Sequence, residues 1–288
     1  MSWILFSLLA AFGWAIVNVL DKFIVTKLVK NPMMSVLIIT ILSLIVGAIV
    51  LAFHYKPLTP TLLLCVFVTA VFYLLTNVFY FKAAQQEEIS RLVPLFYLAT
   101  VFIGLISALT LGEIFSPLQY LGVLLLVAGA ILVSVRGLNL KFGKAFWFMI
   151  LSTLSISIYT ILTKYLLNYE DYWTVFGYSR IGVFVAGIPL LYWHYSDFVR
   201  TTRKAIGAIT FSESLNLVAL FCFTIAMAQG FVTLANALAS LQPLFLLAFT
   251  VLLSLFYPRI LKEEMGKGTV AQKLVAILMM FAGAMLIT

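Results

Sequence analysis

Ten apolar runs follow one another along this chain, and each is about as long as a helix that crosses a membrane. A spanning α-helix needs roughly 20 predominantly apolar residues, and charged, Gly-containing or Pro-containing breaks separate the runs. The sequence therefore predicts an all-α membrane protein with ten transmembrane helices. The predicted spans, numbered 1 to 10, cover residues 3–25, 33–53, 60–81, 90–111, 117–135, 145–167, 172–193, 206–228, 232–256 and 270–287.

The composition indicates that lipid covers this surface. Hydrophobic residues make up 64% of the chain and charged residues 10%, whereas soluble domains hold about 45–50% apolar and about 25% charged residues. No basic residue precedes the first run, as a cleaved signal peptide would require, so we expect span 1 to be kept. The histidines His54 and His194 have no second ligand at metal spacing, and we predict neither a metal nor another cofactor.

The two halves of the chain resemble each other. Three short segments recur in the same order, and five spans fall in each half. An odd number of spans forces the second copy to be inverted in the bilayer, an arrangement found in many transporters. We therefore predict two inverted five-helix repeats, residues 1–139 and 140–288. The paired segments are Trp14–Lys22 with Ile156–Lys164, Lys82–Gln85 with Ala226–Gln229, and Leu126–Ala130 with Met280–Ala284.

The basic residues are distributed unevenly over the two sides of the membrane. Of the 18 Lys and Arg residues, all but Lys56, Lys164 and Arg180 lie in or beside the loops that follow odd-numbered spans. Cytoplasmic loops of membrane proteins carry an excess of Lys and Arg. The bias predicts that both termini are non-cytoplasmic, and it accounts for the net charge of +8 without a nucleic-acid partner.

Span 4 and its neighbours resemble a known family. The segment from Glu88 through Pro94 to the Leu-Gly-Glu motif that ends at Glu113 is similar to the fourth helix of the drug/metabolite transporter superfamily, and more narrowly to the EamA-like repeat. The small residues Gly122 and Gly129 follow in span 5. The remaining matches are the Trp14, Asn18, Lys22 stretch of span 1 and Arg180, which stands where many members carry an arginine.

The resemblance covers the chain as two EamA-like repeats and implies a ten-helix secondary transporter. A central cavity would be lined by spans 1–4 and 6–9, with spans 5 and 10 more peripheral. Thr100 replaces a proline usual in the family, and the second copy lacks the Leu-Gly-Glu motif. Many members are also expected to have cytoplasmic termini, unlike the orientation that the charges predict here.

Arg180 and Glu213 are the two charges that lie deep within predicted spans, each about eight residues from its start. An isolated charge there costs at least about 2.5–3.5 kcal/mol, so we expect the two to pair. In a functional interpretation, Arg180 holds an anionic substrate group and Glu213 carries a proton or attracts a cation. In a structural one, the pair fixes the packing of two helices.

Other polar and aromatic residues within the spans are candidates to line the cavity, because an amide in lipid needs a partner or water. Lys22 and Lys164 occupy equivalent places in the two halves and are candidate gates, although both would also reach the interface as ordinary end-of-helix lysines. The lining candidates are Trp14, Asn18, Tyr73, Asn77, Tyr97, Tyr159, Tyr178, Asn216, Asn236 and Gln242.

Secondary transport is the function that these features favour. The chain has no Gly-rich phosphate-binding loop, so energy would come from a proton or exchange gradient, and no enzymatic activity is expected. On the family resemblance alone, we expect export of an amino acid or related metabolite across the cell membrane. The alternatives are flipping of a lipid-linked or polyprenyl-phosphate sugar, and a scaffold or receptor without transport. The small residues of spans 5 and 10 favour packing between the repeats in a monomer over a homodimer.

Overall fold

The computed structural model describes residues 2–28, 33–86, 92, 95–134, 143–256 and 267–287. Within these ranges the ordered elements are helices and no strand occurs. The helices are α1 Ser2–Lys27, α2 Met33–Phe53, α3 Pro60–Ala84, α4 Ala99–Thr110, α5 Pro117–Ser134, α6 Lys144–Leu167, α7 Tyr172–Trp193, α8 Tyr195–Arg200, α9 Arg203–Gln229, α10 Val232–Ala239, α11 Gln242–Phe256 and α12 Lys267–Ile287.

The predicted membrane spans are confirmed as helices. Seven segments are long and apolar enough to cross a membrane, the last of them being Val232–Phe249, which joins α10 to α11. Three shorter apolar helices, in α4, α5 and α12, take the places of predicted spans 4, 5 and 10. The described helix ends fall close to the predicted ones because each apolar run stops where polar or Pro-containing segments begin.

Side chains in the loops fix several helix starts. Thr59 accepts a hydrogen bond from the backbone N–H of Leu62, and Pro60 follows as the first helical residue of α3, a favourable position for proline. Asp171 caps α7 by accepting from the N–H groups of Trp173 and Thr174. Burial opposes ionisation of Asp171, but the hydrogen bond from Lys56 and those from Thr174 lower its pKa to about 2.

The helices of the two halves pack against one another in exchanged pairs. The first span of the first half, α1, packs along the third span of the second half, α9; conversely, α6 packs along α3. The pairs α2 with α7 and α5 with α12 join equivalent spans. This pattern maps onto itself when the halves are swapped, and it is consistent with the predicted inverted repeat.

The contact between α5 and α12 depends on small residues. A Cβ atom at Gly122 would lie 2.9 Å from the carbonyl oxygen of Gly283, and one at Gly283 would lie 2.7 Å from the carbonyl oxygen of Gly122. The helix backbones are therefore too close for any larger residue, as small residues at membrane helix contacts permit. As the sequence predicted, these glycines pack the two halves together at the side of the bundle.

The fourth span of each half is interrupted near its middle. Span 4 has a turn at Tyr97–Leu98, and span 9 has a turn at Ser240–Leu241. Bonds between residues three apart, such as Leu98 N–H to Leu95 O and Leu241 N–H to Leu238 O, replace helical bonds there. Pro243 supplies no N–H, and its ring disfavours a continuous helix before it. Irregular backbone at membrane depth is tolerated where it borders a cavity, so both turns point to a site between the halves.

Candidate substrate-binding cavity

A cavity of about 250 Å³ lies between the two halves. Its wall is formed by α1, α3, α4 and the turn before it from the first half, and by α6, α9, α10 and the start of α11 from the second. This volume is slightly below the roughly 300–1,000 Å³ of typical small-molecule pockets. No described residue of α2 or α7 lines the cavity, although the family resemblance implied that their spans would, because these two helices pack on each other outside it.

Most of the predicted lining residues are brought together here. The in-span amides and aromatics selected from the sequence face one cavity, and the interrupted spans add Asn236 and Gln242 to its wall. The other predicted residues on the wall are Trp14, Asn18, Tyr73, Asn77, Tyr97, Tyr159, Glu213 and Asn216.

A chain of hydrogen bonds links α1 to α9 along the wall. The indole N–H of Trp14 donates to Asn216 Oδ1 at 3.0 Å, and Asn216 Nδ2 donates to Glu213 Oε2 at 3.0 Å. The Glu213 residue is only 7% exposed. Residues 213 and 216 are three apart, so their side chains lie on one face of α9. The hydrogen bonds from Trp14 and Asn216 therefore fix the orientation of the Glu213 carboxyl group at the cavity wall.

Asp21 is a second acidic residue on this wall that the sequence analysis did not select. It lies near the end of α1, where a charge reaches the interface at little cost, and it was therefore read as an end-of-helix residue. In the structure, Ser212 Oγ donates to Asp21 Oδ1 at 2.7 Å, and Asp21 lines the cavity. One signal was available: the position before the paired lysines holds Asp21 in the first half and Thr163 in the second.

Hydroxyl and amide groups join the fourth spans of the two halves. Asn236 Nδ2 donates to Thr100 Oγ1 at 2.8 Å, and the hydroxyls of Thr100 and Ser240 lie 3.1 Å apart. Farther along, the hydroxyls of Ser107 and Thr233 are 2.8 Å apart. The departure from the family's proline at position 100 thus supplies a polar contact between the halves.

The predicted ion pair between Arg180 and Glu213 is wrong. Arg180 is completely buried in α7, and within the described part of the chain its three guanidinium nitrogens form no hydrogen bond of ordinary geometry. The guanidinium instead lies over two aromatic rings, 4.6 Å from the centroid of Tyr73 and 5.4 Å from that of Phe176. Since Tyr73 lines the cavity and Arg180 does not, the tyrosine ring stands between this cation and the cavity.

Tyr178 also lies away from the predicted site. Its hydroxyl donates to the backbone carbonyl of Lys56 at 2.9 Å, which places the residue at the loop end of α7. The side chain is partly buried, although its neighbours Gly177 and Ser179 are buried. Tyr178 therefore contacts the loop between α2 and α3 and not the cavity.

The two predicted gate lysines have different outcomes. The ammonium group of Lys164 donates to the carbonyl oxygens of Met227 and Gly230, at 2.7 and 2.8 Å. It therefore caps the carboxyl end of α9, where a cation is favoured by the helix dipole. The side chain of Lys22 lies outside the described residues, as do Glu88, Arg91 and Pro94 of the family motif.

Glu113, the last residue of the Leu-Gly-Glu motif, caps the amino terminus of α10. It is 4% exposed, and its carboxyl oxygens accept from the N–H of Val232 at 2.8 Å and from the N–H and hydroxyl of Thr233 at 3.3 and 3.0 Å. An acidic side chain is favoured at a helix amino terminus. Lys164 and Glu113 thus bind the two sides of one turn, between α9 and α10; we call these two residues the latch.

Comparison with known proteins relates the first half of the chain to a family and the whole chain to a known fold. Residues 1–135 match the model of the EamA-like transporter family, which belongs to the drug/metabolite transporter superfamily. One crystal structure of a protein is similar over 99% of this chain and 98% of its own, with a TM-score of 0.75 and 18% identity. No curated protein matched the sequence.

Proposed function

We propose, from the membership of the first half of this chain in the EamA-like transporter family, that the protein is a secondary active transporter of a small polar metabolite. The family consists of transporters and not enzymes, and the coarse function is that of a multi-pass membrane transporter of the drug/metabolite type. The observation that carries the finer proposal is a polar cavity lined by both halves of the chain, the usual place for a substrate site in transporters built from repeats.

Alternating access would proceed by rocking the two repeats, residues 1–139 and 140–288, against each other. The latch lies at the end of the bundle that carries the chain termini, where it ties α9 and α10 to the end of α6 and to the loop after α4. Asp21 and Tyr80 extend the cavity wall toward the opposite end, near the basic loops. This geometry supports a conformation that is sealed on the terminal side.

Export is the direction that we propose, and the substrate class is an amino acid or a related compound, which includes amines. The charge bias places the basic loops in the cytoplasm, so the cavity would take its solute from that side. Glu213 is our candidate for proton coupling, because it is the carboxyl on the wall that lies deepest within a span. The acidic wall disfavours the alternative, a polyprenyl-phosphate sugar, whose phosphate it would repel.

Transport in liposomes that contain only the purified protein tests this function. We expect radiolabelled amino acids or amines to accumulate above protein-free liposomes when a pH gradient is applied, and the accumulation to collapse with the gradient. Glu213→Gln removes the titrating group with little change of shape, and we expect gradient-driven flux to fall about tenfold or more, equivalent to about 1.4 kcal/mol.

Glu170→Gln is the matched control, since Glu170 lies at a loop beside Lys56 and not in the cavity. We expect it to transport like the parent protein. Transport by Glu213→Gln with an unchanged pH dependence would exclude the coupling role of Glu213. Absence of flux for every solute would exclude the transporter function itself.

A further inference from the structure

The charge of the cavity wall is one-sided. Asp21 and Glu213 are on the wall, and among the lining side chains that the structure describes there is no Lys, Arg or His. A carboxylate in a weakly polar environment is costly unless a cation or several donors stabilise it. Where these carboxyl groups are ionised, they give the cavity a negative electrostatic potential, which a cationic occupant neutralises.

The two carboxyl groups come from adjacent points of two helices. Ser212, the residue before Glu213, donates to Asp21 across the contact between α1 and α9. Glu213 Oε2 accepts from Asn216, whereas Glu213 Oε1 accepts no hydrogen bond from any residue that the structure describes. More than nine-tenths of Glu213 is buried, so this oxygen is an acceptor on the wall that lacks a donor.

No cation among the described residues forms an ion pair with Asp21 or Glu213. Arg180 lies over the ring of Tyr73, 4.6 Å from its centroid, and does not itself line the cavity. The ion pairs among the described residues join Lys56 to Glu170 and Asp171 at a loop. A solute carboxylate or phosphate would consequently meet two carboxyl groups and only neutral donors in the described part of the wall.

Aromatic rings complete the wall around the carboxyl groups. A cation within about 6 Å of an aromatic centroid is attracted by the face of the ring, most strongly when both are shielded from water. Carboxyl groups surrounded by such rings suit an ammonium group better than a strongly hydrated metal ion, because the ring faces offer no ligand atoms. The rings on the wall include Trp14, Tyr73, Tyr80, Tyr97, Tyr159 and Phe223.

We propose that the transported solute is a small organic cation, a protonated amine or a quaternary ammonium compound, whose charge lies against Asp21 and Glu213 within the aromatic wall. The inference rests on the proposed transport function, because it identifies the cavity as the substrate site. It narrows that function from polar metabolites in general to those with a net positive charge, and it separates amines from zwitterionic amino acids.

Three probes that share one phenyl ring and differ in charge test the proposal on the purified protein. They are phenethylamine, phenylalanine and 3-phenylpropanoate, which are cationic, zwitterionic and anionic at neutral pH. We expect phenethylamine alone to raise the thermal unfolding midpoint. Glu213→Gln and Asp21→Asn should each weaken its apparent affinity at least about tenfold, while Glu170→Gln retains the response of the parent protein.

The wild-type series decides the question even if a variant does not fold. An equal response to all three probes, including no response to any, would overturn the proposal, as would full binding of phenethylamine to both carboxyl variants. Flux in proteoliposomes tests the transport function and the cationic substrate separately. Flux of phenylalanine without phenethylamine would overturn the cation inference and keep the transporter, whereas binding of phenethylamine without flux of any solute would overturn the transport function.

Discussion

At the scale of single residues, Arg180 is the group whose environment is least expected. A guanidinium carries five N–H donors, and here none of its three nitrogens has a hydrogen-bond partner among the described residues, while Arg180 is fully buried. Burial of an ion costs several kcal/mol after relaxation, whereas a desolvated cation–π contact returns about 2 kcal/mol. The two rings beneath Arg180 therefore offset only part of the cost of its charge.

Replacing Arg180 by methionine is expected to stabilise the protein. Methionine fills a similar volume against the rings of Tyr73 and Phe176 without a buried charge, so we predict a gain of about 1–3 kcal/mol in the free energy of unfolding. Thermal unfolding of the detergent-solubilised protein measures it. Arg180→Lys keeps the charge and should give no gain; a gain in the lysine variant, or a lower midpoint for methionine, would contradict this reading.

The sequence identifies which residues are costly inside the membrane but not which way they face. Asn77 and Asn216 were recognisable because an amide in lipid needs a partner, and both line the cavity. Arg180 and Glu213 were expected to pair from their depths alone. The depth of a residue in the membrane does not determine which side of its helix the residue lies on. Helix packing determines it, and here Arg180 lies over Tyr73 while Glu213 is hydrogen-bonded to Asn216.

At the scale of helices, the contact of α5 with α12 joins the two halves, and the close approach of the two backbones there makes it suitable for a test by substitution. Gly283→Ala would place a methyl group 2.7 Å from the carbonyl oxygen of Gly122 and 2.9 Å from Leu126. Overpacking against a backbone typically costs about 1–3 kcal/mol, and we predict a loss of that size in unfolding free energy, measured by thermal or denaturant unfolding.

Gly207→Ala on α9 is the matched control, because a Cβ there meets nothing within 4 Å. Alanine is favoured over glycine inside a helix by about 0.5–1 kcal/mol, so this variant should be as stable as the parent protein or slightly more so. Equal destabilisation by both substitutions would show that the loss of stability does not come from the contact of α5 with α12.

Helix boundaries were predictable because lipid requires long apolar runs, and the ends of those runs are visible in the sequence. The interruptions at Tyr97–Leu98 and Ser240–Leu241 were not predicted, since the apolar character continues through both turns. Only Pro243 marks one of them, and the equivalent position in the first half is Thr100. Beside the turn at Tyr97–Leu98, Thr100 is hydrogen-bonded to Asn236 and Ser240 of the other half. Such contacts between halves cannot be read from the sequence of one span.

At the scale of the whole molecule, the exchanged pairing of the halves places a cavity between them and the latch at the terminal end. Lys164 and Glu113 come from different halves and hold the same turn between α9 and α10. Hydrogen bonds to charged groups contribute about 1.5–3 kcal/mol each. In the alternating access that we propose, a conformation open to the terminal side breaks these contacts, so we expect the latch to favour the opposite opening.

Thiol labelling measures this central claim directly. In a protein with Cys65→Ala and Cys222→Ala, Asn77→Cys places one thiol on the cavity wall, and a membrane-impermeant maleimide is applied to one side of oriented vesicles at a time. We predict labelling from the side of the basic loops in the parent, and added labelling from the terminal side when Lys164→Met removes half of the latch. Equal labelling of the parent from the terminal side, or labelling from neither side, would contradict the account.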